Sequence, residues 1–252
     1  HSNLWVFPRG MKRNGETGEN SLEWTSRYGS VVTSAFEIAS TDGMNEKGLV
    51  ANLLWLPETE YPVRDKNKPG LAITAWVQYM LDNFATVEEA VAYIDEDTFQ
   101  VVSDMMPDGS RLATLHLSIS DATGDCAIFE YIGGKLTVYH SKEYKVMTNS
   151  PTYNKQLALS EYWKSIGGLS FLPGTNRAAD RFARASFYIN ALPETDDERI
   201  AVASVFSVVR NASVPYGIST PESPEISTTQ WRTVSESKNL RYFFESSLTP
   251  NT

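Results

Sequence analysis

An asparagine at the end of a short apolar segment is the first residue whose position suggests chemistry. We predict that residues 146–148 end a strand and that Pro151 stops it. A rigid sheet would then hold the side-chain amide of Asn149 still at a strand-to-loop junction. Such an amide can donate hydrogen bonds to an oxygen that becomes negative during acyl transfer. The segment alone also fits a simple turn-forming asparagine, so the assignment depends on other residues.

The second candidate is an arginine in a basic segment. Residues 172–185 read as a loop and then a helix, which Asn176 is expected to cap and which carries Arg177, Arg181 and Arg184. A solvated cationic face is the simple interpretation. However, apolar neighbours favour a partly inward position for Arg181, and a buried guanidinium needs a carboxylate, a chain terminus or a bound anion as its partner.

Other candidate nucleophiles and metal ligands are few. Cys126 is the single cysteine, which excludes an internal disulfide, and its alternating strand pattern predicts a buried, inert thiol. The three histidines, His1, His116 and His140, have no metal-ligand spacing to each other, so no metal site is predicted. His116 alternates with leucines and is interpreted as a sheet residue rather than a base.

The composition is that of an acidic globular protein. The 252 residues suffice for one large domain, and 41% of them are hydrophobic. The formal net charge of −9 argues against a surface for nucleic acid or an anionic membrane. No window is long and apolar enough to span a bilayer. The sequence shows no internal repeat and no convincing domain boundary.

Blocks of strands and helices alternate along the chain and must position these residues. Strands are predicted at residues 4–8, 22–28, 31–38, 49–56, 99–102, 112–120, 125–132, 135–140, 226–234 and 240–245. Helices are predicted over residues 71–84, 86–95, 156–166, 176–185 and 196–210. Residues 49–56 are nearly all apolar, which predicts a strand covered on both faces and hence at least three layers. Asp42 and Gly43 predict a hairpin turn, and Thr86 with Glu89 predicts a helix-capping box.

Four motifs occur in unbroken order: NEKGL at residues 45–49, TNSP at 148–151, LPG at 172–174, and Arg181 followed by Phe182. Together they resemble the choloylglycine hydrolase family, and the resemblance extends from about residue 4 to Pro250. This family holds penicillin V acylases and bile salt hydrolases, both N-terminal nucleophile hydrolases. Residues 3–8, 22–26 and 211–217 look most like the penicillin V acylases of Gram-negative bacteria.

The resemblance implies both a fold and a set of roles. It implies an α+β fold, a four-layer αββα sandwich of two antiparallel sheets between helical layers, as a single domain over residues 1–252 that is incomplete at both ends. No cofactor is expected, because the family nucleophile is an N-terminal cysteine whose own α-amine moves the proton. By resemblance Asn149 is a catalytic oxyanion donor, with a backbone N–H near Trp55 as the second donor. Arg181 is implied to lie by the nucleophile and to poise its charge. Trp55 and Leu54 are expected to bind substrate, and the indole suits an aromatic or aliphatic acyl group better than a hydroxylated steroid.

The chain departs from the family pattern at its start. No cysteine stands there, His1 aligns inside the family's first strands, and the family segment Arg-x-x-Asp-Trp is absent. Cys126 cannot act as an N-terminal nucleophile, and Ser2 is not terminal. We therefore expect these 252 residues by themselves to be inactive. They are expected to be either the core of a normal enzyme or a chain whose first hairpin is a separate segment.

These observations favour an amidohydrolase acting on linear C–N bonds of small N-acyl amides. Penicillin V is the expected substrate, with long-chain N-acyl homoserine lactones second and conjugated bile salts as the alternative. A binding protein that keeps the acyl pocket without cleavage is the alternative from another class. The resemblance also implies a periplasmic location, with the cytoplasm as the alternative, and a homotetramer. No nucleic-acid or membrane partner is expected.

Overall fold

The chain forms two units, each described by itself. The computed structural model describes residues 2–106, 109, 111–221 and 228–249. The first unit comprises His1–Tyr144 and Ser237–Arg241, and the second comprises Lys145–Glu236 and Tyr242–Thr252. The expectations that concerned His1, Pro250 and the start of the 226–234 strand lie outside the described residues.

A large antiparallel sheet dominates the first unit. Its strands, in chain order, are β1 (Ser2–Phe7), β2 (Lys12–Asn14), β3 (Glu23–Thr25), β4 (Ser30–Ala35), β5 (Ala39–Asn45), β6 (Val50–Trp55), β7 (Gly70–Ala72), β8 (Gln100–Val102), β9 (Leu115–Ser120), β10 (Cys126–Ile132) and β11 (Lys135–His140). Seven of them form one sheet in the order β1-β4-β5-β6-β9-β10-β11, while β2 pairs with β3 and β7 pairs with β8. The helices of this unit are α1 (Trp76–Asn83), preceded by a 3₁₀ turn at Ile73–Ala75, and α2 (Val87–Asp95).

One face of this sheet packs against the two helices. The strand register places Leu53 opposite Leu117, Leu117 opposite Phe129, and Phe129 opposite Val138, which makes one apolar row across four strands. The fully buried ring of Trp76, from α1, meets the ring of Phe129 edge to face with centroids 6.3 Å apart. Because side chains alternate across a strand, this row assigns one whole face of the sheet to the helix-covered core.

The NEKGL motif forms the β5–β6 turn and anchors it. The buried Asn45 amide donates to the carbonyl oxygens of Leu81 (2.8 Å) and Phe84 (2.7 Å) at the end of α1. Its Oδ1 accepts the backbone N–H groups of Lys47 and Leu49, each at 3.0 Å. All four hydrogen-bonding positions of this amide are therefore used by the backbone.

The second unit is mainly helical. It contains α3 (Tyr153–Ile166), α4 (Ala178–Ala191), α5 (Glu198–Asn211), and a two-stranded sheet of β12 (Trp231–Glu236) and β13 (Arg241–Ser246). The buried rings of Tyr153 and Phe182 meet edge to face at 6.0 Å, which packs α3 against α4. Asp197 caps α5 by accepting the N–H groups of Arg199 and Ile200. None of the helices in the described part of the chain is long and apolar enough to cross a membrane.

Local signals in the sequence predicted several elements correctly. The structure contains the strands of the β9–β11 meander and all five helices, with ends that differ from the predicted ones by up to six residues. The capping signal before α2 is also confirmed, because Thr86 Oγ1 accepts the N–H of Glu89 at 3.2 Å. These features depend on residues that are close together in the chain, so the pattern that specifies them can be seen in the sequence itself.

Three local predictions are wrong. Asp42 and Gly43 lie inside β5 rather than in a turn; a Cβ at Gly43 would stand 2.5 Å from the Val31 carbonyl oxygen, so close packing requires the glycine. Residues 146–148 are not a strand. Asn176 does not cap α4, because the N-cap position is Arg177, which makes no side-chain capping bond.

Candidate active site

Asn149 and Arg181 meet in the second unit, although 32 positions separate them in the chain. The Arg181 guanidinium donates from Nη2 to Asn149 Oδ1 at 2.8 Å, and from Nε to the carbonyl oxygen of Asn176 at 3.1 Å. Asn149 lies in the loop before α3, and Arg181 lies in the first turn of α4. The two side chains indicated by the motifs are therefore in direct contact, while their catalytic roles stay predictions.

Positive charge is concentrated around this contact. Within the described residues of this unit, neither Arg181 nor Arg184 forms an ion pair with a carboxylate. Burial lowers the pKa of Arg181, and the neighbouring charge of Arg184 lowers it further. An arginine side chain is effectively always protonated in proteins, so the group stays charged at neutral pH. A partly buried cation whose partners among the described residues are neutral oxygens is suited to a nearby thiolate or oxyanion.

The second arginine has a structural explanation. Arg184 is buried, and it donates from Nη1 to the carbonyl oxygens of Pro173 (2.7 Å) and Thr175 (2.9 Å). Its Nε lies 3.2 Å from Oδ1 of Asn211, at the end of α5. Arg184 thus ties the LPG segment and α5 to α4, which fixes the direction in which the same helix presents Arg181.

The contact also fixes the orientation of the Asn149 amide. A guanidinium has only donors, so the atom facing Arg181 must be the amide oxygen. The NH₂ end of Asn149 is therefore directed away from the cation. An oriented amide N–H near a positive charge is the arrangement that stabilises a developing oxyanion.

Trp55 and Leu54 lie in the first unit, at the end of β6. The Trp55 indole donates from Nε1 to Thr114 Oγ1 at 3.0 Å, and the Arg111 guanidinium lies 4.1 Å from the centroid of the Trp55 ring. The register pairs Leu54 with His116 on the neighbouring strand. Successive side chains on a strand point to opposite faces of the sheet, so Leu54 and Trp55 do not share a face. Both could contact one ligand only at the end of β6, where the strand stops.

Sequence reasoning missed three residues that hold these groups. Arg111 stacks on Trp55, a contact between positions 56 apart that no local pattern displays. Gln156 and Thr148 bind the loop that carries Asn149. The available signal for Gln156 was its place in the apolar stripe of α3, where a glutamine is unexpected.

The remaining candidates have structural settings. His116 and Glu130 are fully buried, and His116 Nδ1 lies 2.9 Å from Glu130 Oε1, in agreement with a sheet residue. Cys126 is half-buried rather than buried, because it is the first residue of β10, and its Sγ lies 3.7 Å from the Gly124 carbonyl oxygen. The described residues contain no group of three or more histidine, cysteine, aspartate or glutamate side chains that could hold a metal ion.

A family comparison decides the class to which this geometry belongs. The family model described as linear amide C–N hydrolases, choloylglycine hydrolase family, matches residues 1–251. The chain belongs to the choloylglycine hydrolase family. It is 54% identical over 269 aligned positions to a penicillin V acylase from Pectobacterium atrosepticum, covering 99% of this chain and 72% of that protein. It is 28% identical to a bile salt hydrolase/transferase from Clostridium perfringens, covering 86% of this chain and 72% of that protein.

Solved structures agree with this membership in the choloylglycine hydrolase family. The penicillin V acylase from Agrobacterium tumefaciens matches with a TM-score of 0.91 and 60% identity, covering 99% of this chain and 76% of that one. A single-residue variant of the conjugated bile acid hydrolase from Clostridium perfringens matches with a TM-score of 0.80 and 25% identity, covering 98% of this chain and 81% of that one. The α+β fold of N-terminal nucleophile hydrolases, expected from the motifs, is confirmed.

Proposed function

We propose that this choloylglycine hydrolase family member cleaves the acyl amide of penicillin V. The observation that carries the proposal is the 2.8 Å contact between Asn149 and Arg181, in a chain 54% identical to a penicillin V acylase. The contact supplies the two components of an acyl-transfer site that we assign to the second unit. They are an oriented amide donor and a cation without a carboxylate partner among the described residues.

Each residue has a distinct part in the proposed reaction. The Asn149 N–H group donates to the carbonyl oxygen of the amide as that oxygen becomes negative. The charge of Arg181 holds the Asn149 amide in its donating orientation and lowers the free energy of a thiolate nucleophile beside it. By family resemblance this nucleophile is an N-terminal cysteine, and Cys126, on a strand of the first unit, is assigned no part.

Trp55 supports a preference for apolar acyl groups. Its indole is held by Thr114 and lies beneath the Arg111 guanidinium, so it presents a fixed aromatic surface. A phenoxyacetyl group or a long alkyl chain would pack on such a surface. We rank penicillin V first and long-chain N-acyl homoserine lactones second. Conjugated bile salts come third, because this chain is 28% identical to the bile salt hydrolase/transferase and 25% identical to the conjugated bile acid hydrolase variant named above.

The test uses protein expressed from the complete gene, with its N-terminal residue identified. Release of primary amine is measured for penicillin V, a long-chain N-acyl homoserine lactone and glycocholate under the same conditions. The expected result is the highest kcat/KM for penicillin V. Faster cleavage of glycocholate overturns the ranking. Saturable binding of penicillin V with no release of amine supports the non-catalytic binding protein instead.

We also propose a periplasmic homotetramer, supported only by the resemblance to the Gram-negative acylases. Size-exclusion chromatography with light scattering and fractionation of the source cells test these two points. A monomeric or cytoplasmic protein would reject them without affecting the proposed reaction.

A further inference from the structure

The loop that carries Asn149 is held by one side chain from α3. Gln156 is 1% exposed, and its Nε2 lies 2.8 Å from the carbonyl oxygen of Asn149 and 2.6 Å from that of Pro151. The Thr148 carbonyl oxygen is a third acceptor at 3.2 Å. An amide nitrogen has two protons, so the two shorter contacts use its full donor capacity. These bonds replace the strand partner that the sequence pattern had predicted for this segment.

A hydroxyl group links the same loop to the helix that carries Arg181. Thr148 Oγ1 lies 2.8 Å from Gln156 Oε1 and 2.9 Å from the carbonyl oxygen of Ala178, and its one proton donates to one of these two acceptors at a time. Ala178 is the first residue of α4, less than one helical turn before Arg181. The Thr148 side chain is buried, so neither contact competes with bulk water.

These contacts close a ring around the candidate site. The ring runs from Asn149 to Arg181, along α4 to Ala178, through the Thr148 hydroxyl, and back along the chain to Asn149. Gln156 holds this ring in place by binding the backbone carbonyl oxygens of Asn149 and Pro151. A shift of the loop or of the start of α4 would lengthen the 2.8 Å contact between Asn149 and Arg181.

We propose that Gln156 and Thr148 are positioning residues that set the geometry of the Asn149–Arg181 pair. They act on the reaction through Asn149 and touch no reacting atom. The catalytic consequence rests on the proposed function, whereas the geometric consequence does not. Loss of either side chain is expected to lower kcat more than it changes KM, because the donor is needed most in the transition state.

The matched variants are Thr148→Val, which keeps the shape and removes the hydroxyl, and Thr148→Ser, which keeps the hydroxyl. Gln156→Met keeps the length of the side chain and removes its polar atoms. We expect Thr148→Val and Gln156→Met to lower kcat for penicillin V roughly 10- to 100-fold, with KM changed less than about threefold. Thr148→Ser is expected to stay within about threefold of wild-type kcat.

A double-mutant cycle separates positioning from stability. In an Asn149→Ala background, Gln156→Met is expected to lower kcat by less than about twofold, because no amide remains to be positioned. The same fold-loss in both backgrounds overturns the proposal, and so does wild-type kcat in folded Thr148→Val and Gln156→Met. Folding of each variant is judged by circular dichroism and Tm. If Gln156→Met does not fold, the milder Thr148→Val variant is used for the same cycle.

A crystal structure of Thr148→Val gives a readout independent of activity. The distance between Asn149 Oδ1 and Arg181 Nη2 is expected to exceed about 3.5 Å, the limit of a hydrogen bond. An unchanged 2.8 Å contact overturns the positioning role even where the wild-type protein cleaves no amide. An inactive wild-type protein with a lengthened contact in the variant rejects the proposed function and keeps the geometric inference.

Discussion

Replacing Arg181 by lysine tests whether the shape of the cation, beyond its charge, matters to the site. Arg181 uses two separate nitrogen atoms, Nη2 for Asn149 and Nε for the carbonyl oxygen of Asn176. Lysine has one nitrogen on a flexible stem, so it keeps the charge and loses the rigid fork. The Arg181→Lys substitution therefore removes one of the two oriented hydrogen bonds and keeps the positive charge.

The structure sets the size of the expected effect. Arg181→Lys loses at least one hydrogen bond from a charged donor in a partly buried site, which is worth about 1.5–3 kcal/mol. If that energy is needed only in the transition state, kcat/KM falls roughly 10- to 150-fold, since each 1.36 kcal/mol is a factor of ten. The fall should appear mainly in kcat, because the bond orients the donor rather than the bound substrate.

The assay is steady-state release of primary amine from penicillin V, with Tm measured for every variant. Arg177→Lys is the matched control, because Arg177 is exposed at the N-cap of the same helix. We expect Arg177→Lys to keep wild-type kcat, KM and Tm. Wild-type kcat/KM in a folded Arg181→Lys protein would refute the reasoning. A loss explained entirely by a lower Tm would also refute it.

Three further predictions concern stability and substrate preference. Asn45→Ala leaves buried backbone groups without partners and should cost about 3 kcal/mol or more, lowering Tm by roughly 6–12 °C; a Tm within about 2 °C of wild type contradicts the anchoring role. Asp121→Ala removes acceptors for the N–H groups of Val87 and Thr123. Burial alone would raise the pKa of Asp121, but its hydrogen bonds outweigh burial and lower the pKa. The carboxylate therefore stabilises the fold at pH values above its unfolded pKa of about 3.9, and this stabilisation is lost as the pH falls. Urea unfolding should therefore show a constant deficit for Asp121→Ala from about pH 8 to about pH 5 that narrows below about pH 4; a deficit that widens in acid contradicts the sign. Trp55→Leu should raise KM for penicillin V at least about fivefold with little change in kcat, since it removes an aromatic surface and keeps the backbone; an unchanged KM removes Trp55 from the substrate site.

The features best predicted from the sequence are those that depend on near neighbours in the chain. The Thr86 capping signal and the alternation along β9 to β11 specify their own elements, and the structure contains them. Gly43 misled the interpretation, since glycine serves equally for a turn and for close packing, and only the position of the Val31 carbonyl decides between them.

The sequence indicated two residues of the candidate site, but it did not indicate the side chains that hold them in place. The motifs indicated Asn149 and Arg181, and their convergence followed from the family resemblance rather than from spacing. Gln156 and Arg111 were not predictable in the same way, because each acts on a residue brought near by the fold. A short local pattern contains no information on which backbone carbonyls a buried glutamine will bind.

Two asparagines in family-like motifs differ in the type of partner that they bind. Asn45 gives both N–H groups to backbone carbonyls and receives two backbone N–H groups, so it has no donor left for a substrate. Asn149 is oriented instead by a charged side chain, whose guanidinium binds the oxygen and directs the NH₂ group away from itself. In the same loop, Gln156 donates to the backbone carbonyl oxygens of Asn149 and Pro151. An amide whose oxygen is fixed by a cation presents its N–H groups in a set direction, which is what stabilisation of a developing oxyanion requires, so the contacts of each asparagine are more informative than the motif in which it lies.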